Sequence, residues 1–526
     1  MIDFANIQTL YLGGNEVGEL YIDGNKVWAS GSTPVVQRYL TFENTDGNTC
    51  TVGMAEYGSP PSIGLEYSID GTTWYTYSIG TGGTHLDFTL SSQGDKVMFR
   101  AQSGGNTQIS SGSSNYHYFV TTGNLKVYGD ITTLLDKSGN VTTMSSSQGD
   151  CFNSLFKGST IVDAEGLVLP ITTVNAAGVY SCMFLDCTSL VTPPAEIPDM
   201  AINGTYTFNQ MFQGCTSLTS TPKVLVTTSN GKGYTFKDMF KGCTSLTDVD
   251  FDALVTASGD YCMSYTFSGC TSLATVEFPS LEYIGYGSYG WRYAFASCRY
   301  LTSAKFPKLR EVINTNTMVY MFDGCSRLET VDMGEIQTIQ SYQTLNYTWR
   351  FCTSLTEIDF SKATAVPNLS DVNAFNNTNT TFRIVVPDHL YDSWIQTKNW
   401  CDEWVSQHIV KASEYIGGMA LRSTQDNSTV GMDSLNNVPQ VSLEYTVDYG
   451  KTWNDFIVSR NGGGGTTITL DNGKYAFIRA KTNNTAFSDG SQGNTFVMTG
   501  QIEAWGNAMW LLDSTGQSTT MSNYGF

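Results

Sequence analysis

The sequence predicts a mostly β fold, in which a solenoid of eight coils is flanked by two homologous antiparallel β-sandwich domains. Two observations lead to this prediction. Phrases like MFKGCTSLTDVDF (239–251) recur every 27 or 28 residues through the middle of the chain, and a constant period of this length is typical of solenoids. A second, longer repeat relates residues 37–145 to residues 414–526.

Each copy of the short phrase carries one cysteine, except for an eighth copy in which Ser159 takes the same slot. Free cysteine is among the most buried residue types, so seven evenly spaced cysteines predict a ladder of small buried side chains. Disulfide bridges or a metal site are the alternative, but the sequence has no C-x-x-C pair to support zinc. We therefore expect no metal and no cofactor. The ladder consists of Cys187, Cys215, Cys243, Cys270, Cys298, Cys325 and Cys352.

A short alternating run follows each phrase, for example LTDVDF (246–251). Alternation of apolar and polar residues predicts a strand with Val249 and Phe251 pointing inward and with Asp248 and Asp250 pointing outward. The period and the order of aromatic segment, turn and strand fit a leucine-rich repeat, which we assign to residues 150–381.

The two flanking copies share several phrases. LEYSIDGTTW (65–74) returns as LEYTVDYGKTW (443–453). Short alternating strands separated by Gly, Asn and Ser turns predict an antiparallel β-sandwich for 37–145 and for 414–526. TVDYGKTW (446–453) also matches the Asp-box pattern, which we interpret as a structural hairpin closed by the aspartate. We expect Trp74 and Trp453 to anchor the two cores.

Two smaller segments complete the predicted organisation. Residues 1–32 form an N-terminal module in which turn signals within 10–28 predict β-hairpins that attach to a partner. Residues 382–411 form a strand-helix cap, because a solenoid needs a cover over its last open coil. The cap helix begins after Pro387. Its predicted apolar stripe consists of Leu390, Trp394, Ile395, Trp404 and Val405.

Composition excludes several classes of function. Charged residues make up 14% of the chain and the net charge is −20, so binding to nucleic acid or to an anionic membrane surface is disfavoured. No apolar run approaches the length of a transmembrane helix. The N-terminus lacks the basic and apolar regions of a signal peptide. Release inside an assembled virus particle is one way in which a protein can leave the cell without a signal peptide.

The outward positions of the coil strands form the main candidate binding site. We predict that this stripe binds a partner, either a basic protein patch or a glycan. The alternative is a solvated acidic face that serves solubility. The stripe consists of Asp248, Asp250, Thr275, Glu277, Lys305, Asp332, Glu357 and Asp359.

A second candidate surface is aromatic. Tyr283, Tyr286, Tyr289 and Trp291 lie close together in the sequence. Aromatic faces suit sugar rings, but the same side chains can instead pack on the next coil. The sequence contains no G-x-S-x-G elbow, and the Asp-box pattern alone does not supply the arginine cluster and the tyrosine nucleophile of a sialidase. A Ser-His-Asp or Cys-His set is left open by the sequence.

The coils resemble the BspA-like family of bacterial leucine-rich repeats over residues 150–411. The resemblance rests on the recurring A/M-F-x-G-C-T-S-L-T phrase and on IVVPDHLYDSWIQTKNW (384–400), which is similar to the family's closing segment. The sandwich looks like a domain that precedes such coils in proteins of gut Bacteroidales and their bacteriophages. The opening segment 10–28 looks like the N-terminal segments of phage structural proteins. The resemblance implies a horseshoe whose concave sheet carries the stripe, and a role as an adhesin or virion-surface protein.

These observations predict a non-enzymatic virion protein, a fibre or a decoration protein that displays a host-recognition surface. We expect the N-terminal module to bind other virion proteins and the solenoid to bind a host surface protein or glycan, with no nucleic acid and no membrane insertion. The alternative is a bacterial cell-surface adhesin, and a glycan hydrolase is a third, weaker alternative. Fibres are commonly homo-oligomers, although no coiled-coil heptads enforce that here.

Overall fold

The computed structural model shows a mostly β protein, 5% helical, with a β-solenoid of about 11 turns. The count of eight coils is therefore not confirmed. The structure describes the chain except for residues 1–9, 13–14, 18, 23–24, 30–38, 80–85, 140, 286, 340–343, 367–372, 380, 397–406, 435–437, 439, 448–449, 451, 461–462, 483, 485–486, 488–492, 507 and 513–526. None of the helices in the described residues has the length and apolar character needed to cross a membrane.

The chain divides into two compact units. The first comprises Met1–Val276, Tyr286–Leu301 and Tyr320–Cys325. The second comprises Glu277–Gly285, Thr302–Val319 and Ser326–Phe526.

The first unit begins with two antiparallel strand pairs. They are β1 (Leu10–Leu12) with β2 (Asn15–Val17), and β3 (Glu19–Ile22) with β4 (Asn25–Ala29). Both pairs lie in the segment for which the sequence predicts hairpins.

Two antiparallel sheets follow in the first unit. One has the order β12-β5-β10-β7-β8 and the other β11-β6-β9. Phe42 of the first sheet contacts Phe119 of the second, with ring centroids 4.6 Å apart, and both rings are fully buried. The strands are β5 (Leu40–Asn44), β6 (Cys50–Tyr57), β7 (Leu65–Ser68), β8 (Tyr75–Tyr77), β9 (Phe88–Leu90), β10 (Lys96–Ala101), β11 (Tyr116–Thr122) and β12 (Leu125–Asp130). A 3-10 helix, Ile131–Leu134, comes next.

The solenoid strands are short and pair in parallel with their counterparts in neighbouring coils. Within the first unit, β13, β16 and β18 form one ladder, and β17 pairs with β19. β14 and β15 pair in parallel with β12, which joins the first solenoid coil to the preceding sheet. The strands are β13 (Thr143–Met144), β14 (Ile161–Asp163), β15 (Leu167–Val168), β16 (Thr173–Val174), β17 (Glu196–Ile197), β18 (Ala201–Ile202), β19 (Lys223–Val224) and β20 (Thr256–Ser258), and β21 (Thr275–Glu277) ends one residue into the second unit.

The segment before each cysteine has an alternating backbone pattern. Every second N–H donates to a carbonyl in the next coil, as Phe184 does to Met211 at 2.7 Å, while the N–H groups between them close local turns, as Cys187 does to Phe184 at 3.1 Å. Every fourth residue has a positive φ, including Gly214 at +76°. Only glycine adopts this conformation without steric cost, which explains the glycine in the GCTSL phrase.

The solenoid core of the first unit is built from stacked ladders of identical residues. Successive phenylalanines stack with centroids 5.0 to 5.6 Å apart, from Phe156 to Phe322. The cysteines alongside them are free and 0% exposed. Each cysteine Sγ donates to the carbonyl of a phenylalanine in the preceding coil, for example from Cys215 to Phe184 and from Cys243 to Phe212, both at 3.1 Å. Cys352, in the second unit, is free and buried as well.

The second unit continues with two parallel ladders, β22-β24-β26 and β23-β25-β27-β28-β29. The strands are β22 (Tyr283–Gly285), β23 (Ser303–Lys305), β24 (Glu311–Val312), β25 (Thr330–Asp332), β26 (Thr338–Ile339), β27 (Glu357–Asp359), β28 (Arg383–Val386) and β29 (Ile409–Lys411).

Helical elements lie beside the last strands of this ladder. They are a 3-10 helix (Asp388–Leu390), α1 (Tyr391–Gln396) and α2 (Ala412–Ile416). Trp394 is buried and its ring centroid lies 5.0 Å from that of Phe360. Ile395 is exposed, so the predicted apolar stripe is wrong at this position, because Ile395 directly follows Trp394 and the two point to different sides of the helix. Trp404 and Val405 lie outside the described residues.

The last part of the second unit repeats the two sheets of the first. Their orders are β38-β30-β36-β32-β33 and β37-β31-β35, and β34 adds to β31 in parallel. The long repeat in the sequence therefore corresponds to a repeated strand order. The strands are β30 (Met419–Ser423), β31 (Ser428–Ser434), β32 (Leu443–Thr446), β33 (Asn454–Phe456), β34 (Ser459–Arg460), β35 (Thr467–Leu470), β36 (Tyr475–Ala480), β37 (Thr495–Thr499) and β38 (Ile502–Trp505), followed by a 3-10 helix, Ala508–Leu511.

Because the described cysteine thiols are buried, we predict that they react only when the protein unfolds. Burial raises the pKa of Cys243 and of Cys298 to about 12, and the thiolate is the reactive form. We expect the eleven described cysteines to be silent toward a chromogenic disulfide reagent at pH 8 and to react together in guanidinium chloride. Rapid reaction of several thiols before the unfolding transition would contradict the buried ladder. Replacing Cys401, which lies outside the described residues, with serine provides the control.

Candidate functional site

The predicted stripe residues of the second unit lie side by side on the parallel ladder. Lys305, Asp332 and Asp359 are register partners in β23, β25 and β27, and neighbouring strands lie about 4.8 Å apart. Val331 and Ile358, which directly precede Asp332 and Asp359 in their strands, are buried and therefore point inward. Glu357 lies two residues before Asp359 on β27. Its register partners are Thr330 on β25 and Arg383 on β28. The ladder thus brings four of the eight predicted residues together.

The remaining predicted residues have different surroundings. The strand predicted at 246–251 is not formed, since Asp248 makes only an isolated parallel bridge to Ser220. Asp248 is exposed, whereas Asp250 is half-buried, and so is Val249, which the sequence predicts to point inward. Thr275 and Glu277 are both exposed at the two ends of β21. Among the described residues, no salt bridge involves Asp248 or Asp250, and Asp250 Oδ1 accepts a hydrogen bond from the Asp252 N–H at 3.5 Å.

Two lysines neutralise part of the stripe. Lys305 Nζ lies 3.7 Å from Glu277, and both side chains are about half exposed. Such surface pairs contribute little stability. Lys362 Nζ lies 2.8 Å from Asp332, and these two side chains are only 16% and 14% exposed. The predicted acidic character is therefore uneven along the ladder.

A cleft of about 480 Å³ opens where the stripe reaches β27. Its acidic side consists of Glu357 and Asp359, and the hydroxyl of Tyr415 donates a hydrogen bond to Glu357. The cleft is lined by Glu357, Asp359, Ser361, Lys362, Val385, Tyr415, Ile416 and Gly450. The sequence pattern identified only the two carboxylates, because the other lining residues belong to loops, to β28 and to α2.

The carboxylates in this cleft resist ionisation. Burial raises the pKa of Glu357 to about 7, the nearby Asp359 and Asp332 carboxylates add to this effect, and Arg383 opposes it. Burial and the Asp332 charge also raise the pKa of Asp359. The cleft therefore contains two carboxyl groups whose ionised forms are disfavoured, chiefly by burial.

The aromatic candidate surface is mostly a packing feature. Trp291 is 0% exposed, so it presents no face to a ligand. Tyr289 stacks on Tyr261 of the preceding coil, with ring centroids 5.1 Å apart. Tyr283 is half-buried, and Tyr286 lies outside the described residues. This geometry agrees with the alternative in which the aromatic side chains pack on a neighbouring coil. Stacking covers the ring faces that a sugar would need to contact.

In the first copy, the shortened version of the Asp-box, SIDGTTW (68–74), forms a turn. Asp70 Oδ1 accepts hydrogen bonds from the N–H groups of Thr72 and Thr73, at 2.8 and 2.7 Å. These bonds lower the pKa of Asp70. The geometry is that of a structural hairpin. Asp448, the equivalent residue of the second copy, lies outside the described residues.

Trp74 and Trp453 do not lie within the cores as expected, although Trp453 packs against a buried cluster that includes Tyr475 and Phe477. Both rings are half-buried, and each is covered by a guanidinium, Arg100 at 3.8 Å and Arg479 at 3.7 Å. Arg100 also forms a salt bridge with Glu66, and Arg479 forms one with Glu444. A ring stacked on a charged pair stays near solvent, because the charges are costly to bury. Within the described residues, no group of three or more His, Cys, Asp or Glu side chains is placed to bind a metal.

The raised pKa of Glu357 predicts a pH-dependent stability. The unfolded chain ionises this carboxyl near pH 4.5, whereas the folded protein retains the proton up to about pH 7. Folding therefore takes up a proton between these values, and stability falls as the pH rises through this window. We expect Glu357→Gln to remove this fall, measured by urea unfolding at pH 5 and pH 7.5. Glu329→Gln, at an exposed position, should retain it. Equal pH dependence in both variants would contradict the assignment.

Comparison with known families supports the repeat fold. A family model described as "BspA type Leucine rich repeat region (6 copies)" matches residues 173–265, 200–317, 263–398 and 319–445. Together these matches span 173–445, more than half of the 526 residues, and extend past the predicted end of the cap at 411. No curated protein matches the chain. The matches confirm the leucine-rich-repeat prediction, and the chain belongs to the BspA-type leucine-rich-repeat family.

Proposed function

We propose that this protein is a bacteriophage virion component, a fibre or decoration protein that presents the outer face of its solenoid strands to the host surface. The main support is the row of polar side chains along a rigid parallel ladder, which includes Lys305, Asp332 and Asp359. Extended solenoid surfaces commonly serve as binding sites. The protein acts by binding and carries no catalytic role in this proposal.

The flanking parts have separate roles in the proposal. The N-terminal strand pairs β1–β2 and β3–β4 dock onto other virion proteins, since isolated hairpins are not stable alone. The two copies of the paired sheets are homologous antiparallel β-sandwich domains that hold the solenoid. Their shared strand order supports this interpretation.

The two aspartates of the stripe in the first unit, Asp248 and Asp250, provide the first test of host binding. We expect Asp248→Lys combined with Asp250→Lys to reduce adsorption of the labelled protein to host cells at least several-fold, because charge reversal opposes a basic or hydrogen-bonding partner. Glu357 is left intact, since it is half-buried and contacts Tyr415.

The matched control makes the same charge changes outside the strand positions. Asp186→Lys with Asp260→Lys alters two exposed acids in the turn segments that precede the cysteines. Adsorption should survive in this variant. Unchanged adsorption in the Asp248 and Asp250 variant would favour a solvated face that serves only solubility.

The location of the protein separates the two adhesion proposals. We expect antibodies against residues 37–145 to label intact phage particles in electron micrographs. Labelling of uninfected bacterial cells would instead support the alternative, a bacterial cell-surface adhesin. Pre-incubation with the isolated antigen controls for specificity.

Glycan hydrolysis is a second and weaker candidate. It is favoured by Glu357, whose pKa near 7 in a cleft beside Asp359 suits a general acid. Against it, the pKa of Asp359 is also raised, whereas a hydrolase needs its second carboxylate ionised. Release of reducing sugar from host polysaccharide by the wild type, and not by Glu357→Gln, would support hydrolysis.

A further inference from the structure

The cleft at the end of the stripe has the composition of a site for an organic cation. Asp332, Glu357 and Asp359 lie on two adjacent strands, and Lys362 pairs with Asp332. Arg383, in register with Glu357 on β28, makes no salt bridge with Glu357 among the described residues. Within the described residues neither Glu357 nor Asp359 forms a salt bridge, and Arg383 and Lys362 only partly favour their ionised forms.

A second observation concerns the buried Ser361, which lies beside Asp359. Ser361 lines the cleft and is 2% exposed. Its N–H donates to Asp359 Oδ1 at 2.7 Å. Its hydroxyl helps to stabilise the ionised form of Asp359 but does not reach hydrogen-bond geometry with any described group. A buried hydroxyl without a hydrogen bond is costly, and a ligand donor or acceptor in the cleft would satisfy it.

The walls of the cleft favour a long side chain over a small ion. Val385 and Ile416 supply aliphatic surface, and the Tyr415 ring borders the carboxylates. Lysine and arginine bury their aliphatic stems against such surface while their charged ends reach polar groups. An aromatic ring adds cation–π attraction. The described residues offer no metal-binding cluster, so an inorganic cation is the poorer fit.

We propose that this cleft binds a lysine or arginine side chain of a partner protein. The inference rests on the proposed binding function and names the chemistry of the partner. The cationic group would lie between Glu357 and Asp359, and the Ser361 hydroxyl would complete its hydrogen bonds. The stem would pack between Ile416 and Tyr415.

Binding of a cation should be linked to proton release. The groups that face Glu357 are Asp332 and Asp359, which disfavour its ionisation, and Arg383, which favours it, together with the Tyr415 hydroxyl. A bound cation favours the ionised form, so the carboxyl loses its proton on binding. If only the ionised form binds, the apparent affinity rises about tenfold from pH 6 to pH 8, in proportion to the ionised fraction.

The test uses isothermal titration calorimetry on the full-length protein. The probes are a neutral peptide containing two lysines, its Nε-acetylated counterpart, the matching arginine peptide and a glucosamine oligomer. We expect the lysine or arginine peptide to bind, with proton release detected from the dependence of the heat on the buffer. The acetylated peptide should not bind. Equal binding of the acetylated peptide, or no binding by either cationic peptide, would overturn the inference.

Three variants localise the binding. Glu357→Gln should lose most of the affinity and the pH dependence. Glu329→Gln, the same change at an exposed position outside the stripe, should leave both intact. Tyr415→Ala changes a side chain that is 41% exposed, so it should fold, and it should bind several-fold more weakly. Wild-type affinity in Tyr415→Ala, or retained pH dependence in Glu357→Gln, would contradict this site.

The outcomes for the cleft and for host attachment are separable. Peptide binding without any host adsorption would support the cleft and overturn the proposed function. Host adsorption that needs Asp248 and Asp250, with no peptide binding, would support the function and overturn the cleft. Tight binding of the glucosamine oligomer with no peptide binding would overturn the assignment to a protein partner.

Discussion

Hydrogen bonds between the backbones of successive coils are the constraint on which the solenoid depends. The Phe212 N–H donates to Met239 at 2.8 Å and the Phe240 N–H to Thr266 at 2.8 Å, so that equivalent residues of successive coils come to lie next to each other. Identical positions must then stack, which selects residues that pack well on themselves. The phenylalanine ladder meets this demand by parallel stacking. The cysteine thiols meet it by donating to phenylalanine carbonyls. The constant period follows from this pairing.

The same alignment has a cost on the outer face. Parallel register places Asp332 directly beside Asp359, and like charges in neighbouring positions are unfavourable. Lys362 compensates at Asp332. At Glu357, burial above all, followed by the Asp359 and Asp332 charges, outweighs the effect of Arg383, and the pKa of this carboxyl rises to about 7. A repeating fold thereby places acidic side chains where burial and their neighbours disfavour ionisation.

Sequence reasoning succeeded where the cause is local or periodic. The family, the alternation of Val331 with Asp332 and the Asp70 turn all followed from spacing or from single-residue chemistry. It overestimated the burial of Trp74 and Trp453, each of which is half-buried and contacts the guanidinium of an arginine that is distant in the sequence. It also missed Ser361, Lys362, Tyr415 and Ile416, since no spacing rule relates these residues to the strand positions.

The sequence by itself determined the period, the cysteine slots, the faces of the strands and the existence of two related copies. Each of these is a regularity along the chain, and backbone geometry converts it directly into structure. Only the tertiary structure decided which carboxylates are neutralised, which aromatics are covered and where the cleft opens. Those outcomes depend on distances between side chains that are far apart in the sequence. They also depend on burial, which changes the energy of a charge and cannot be deduced from the residue pattern.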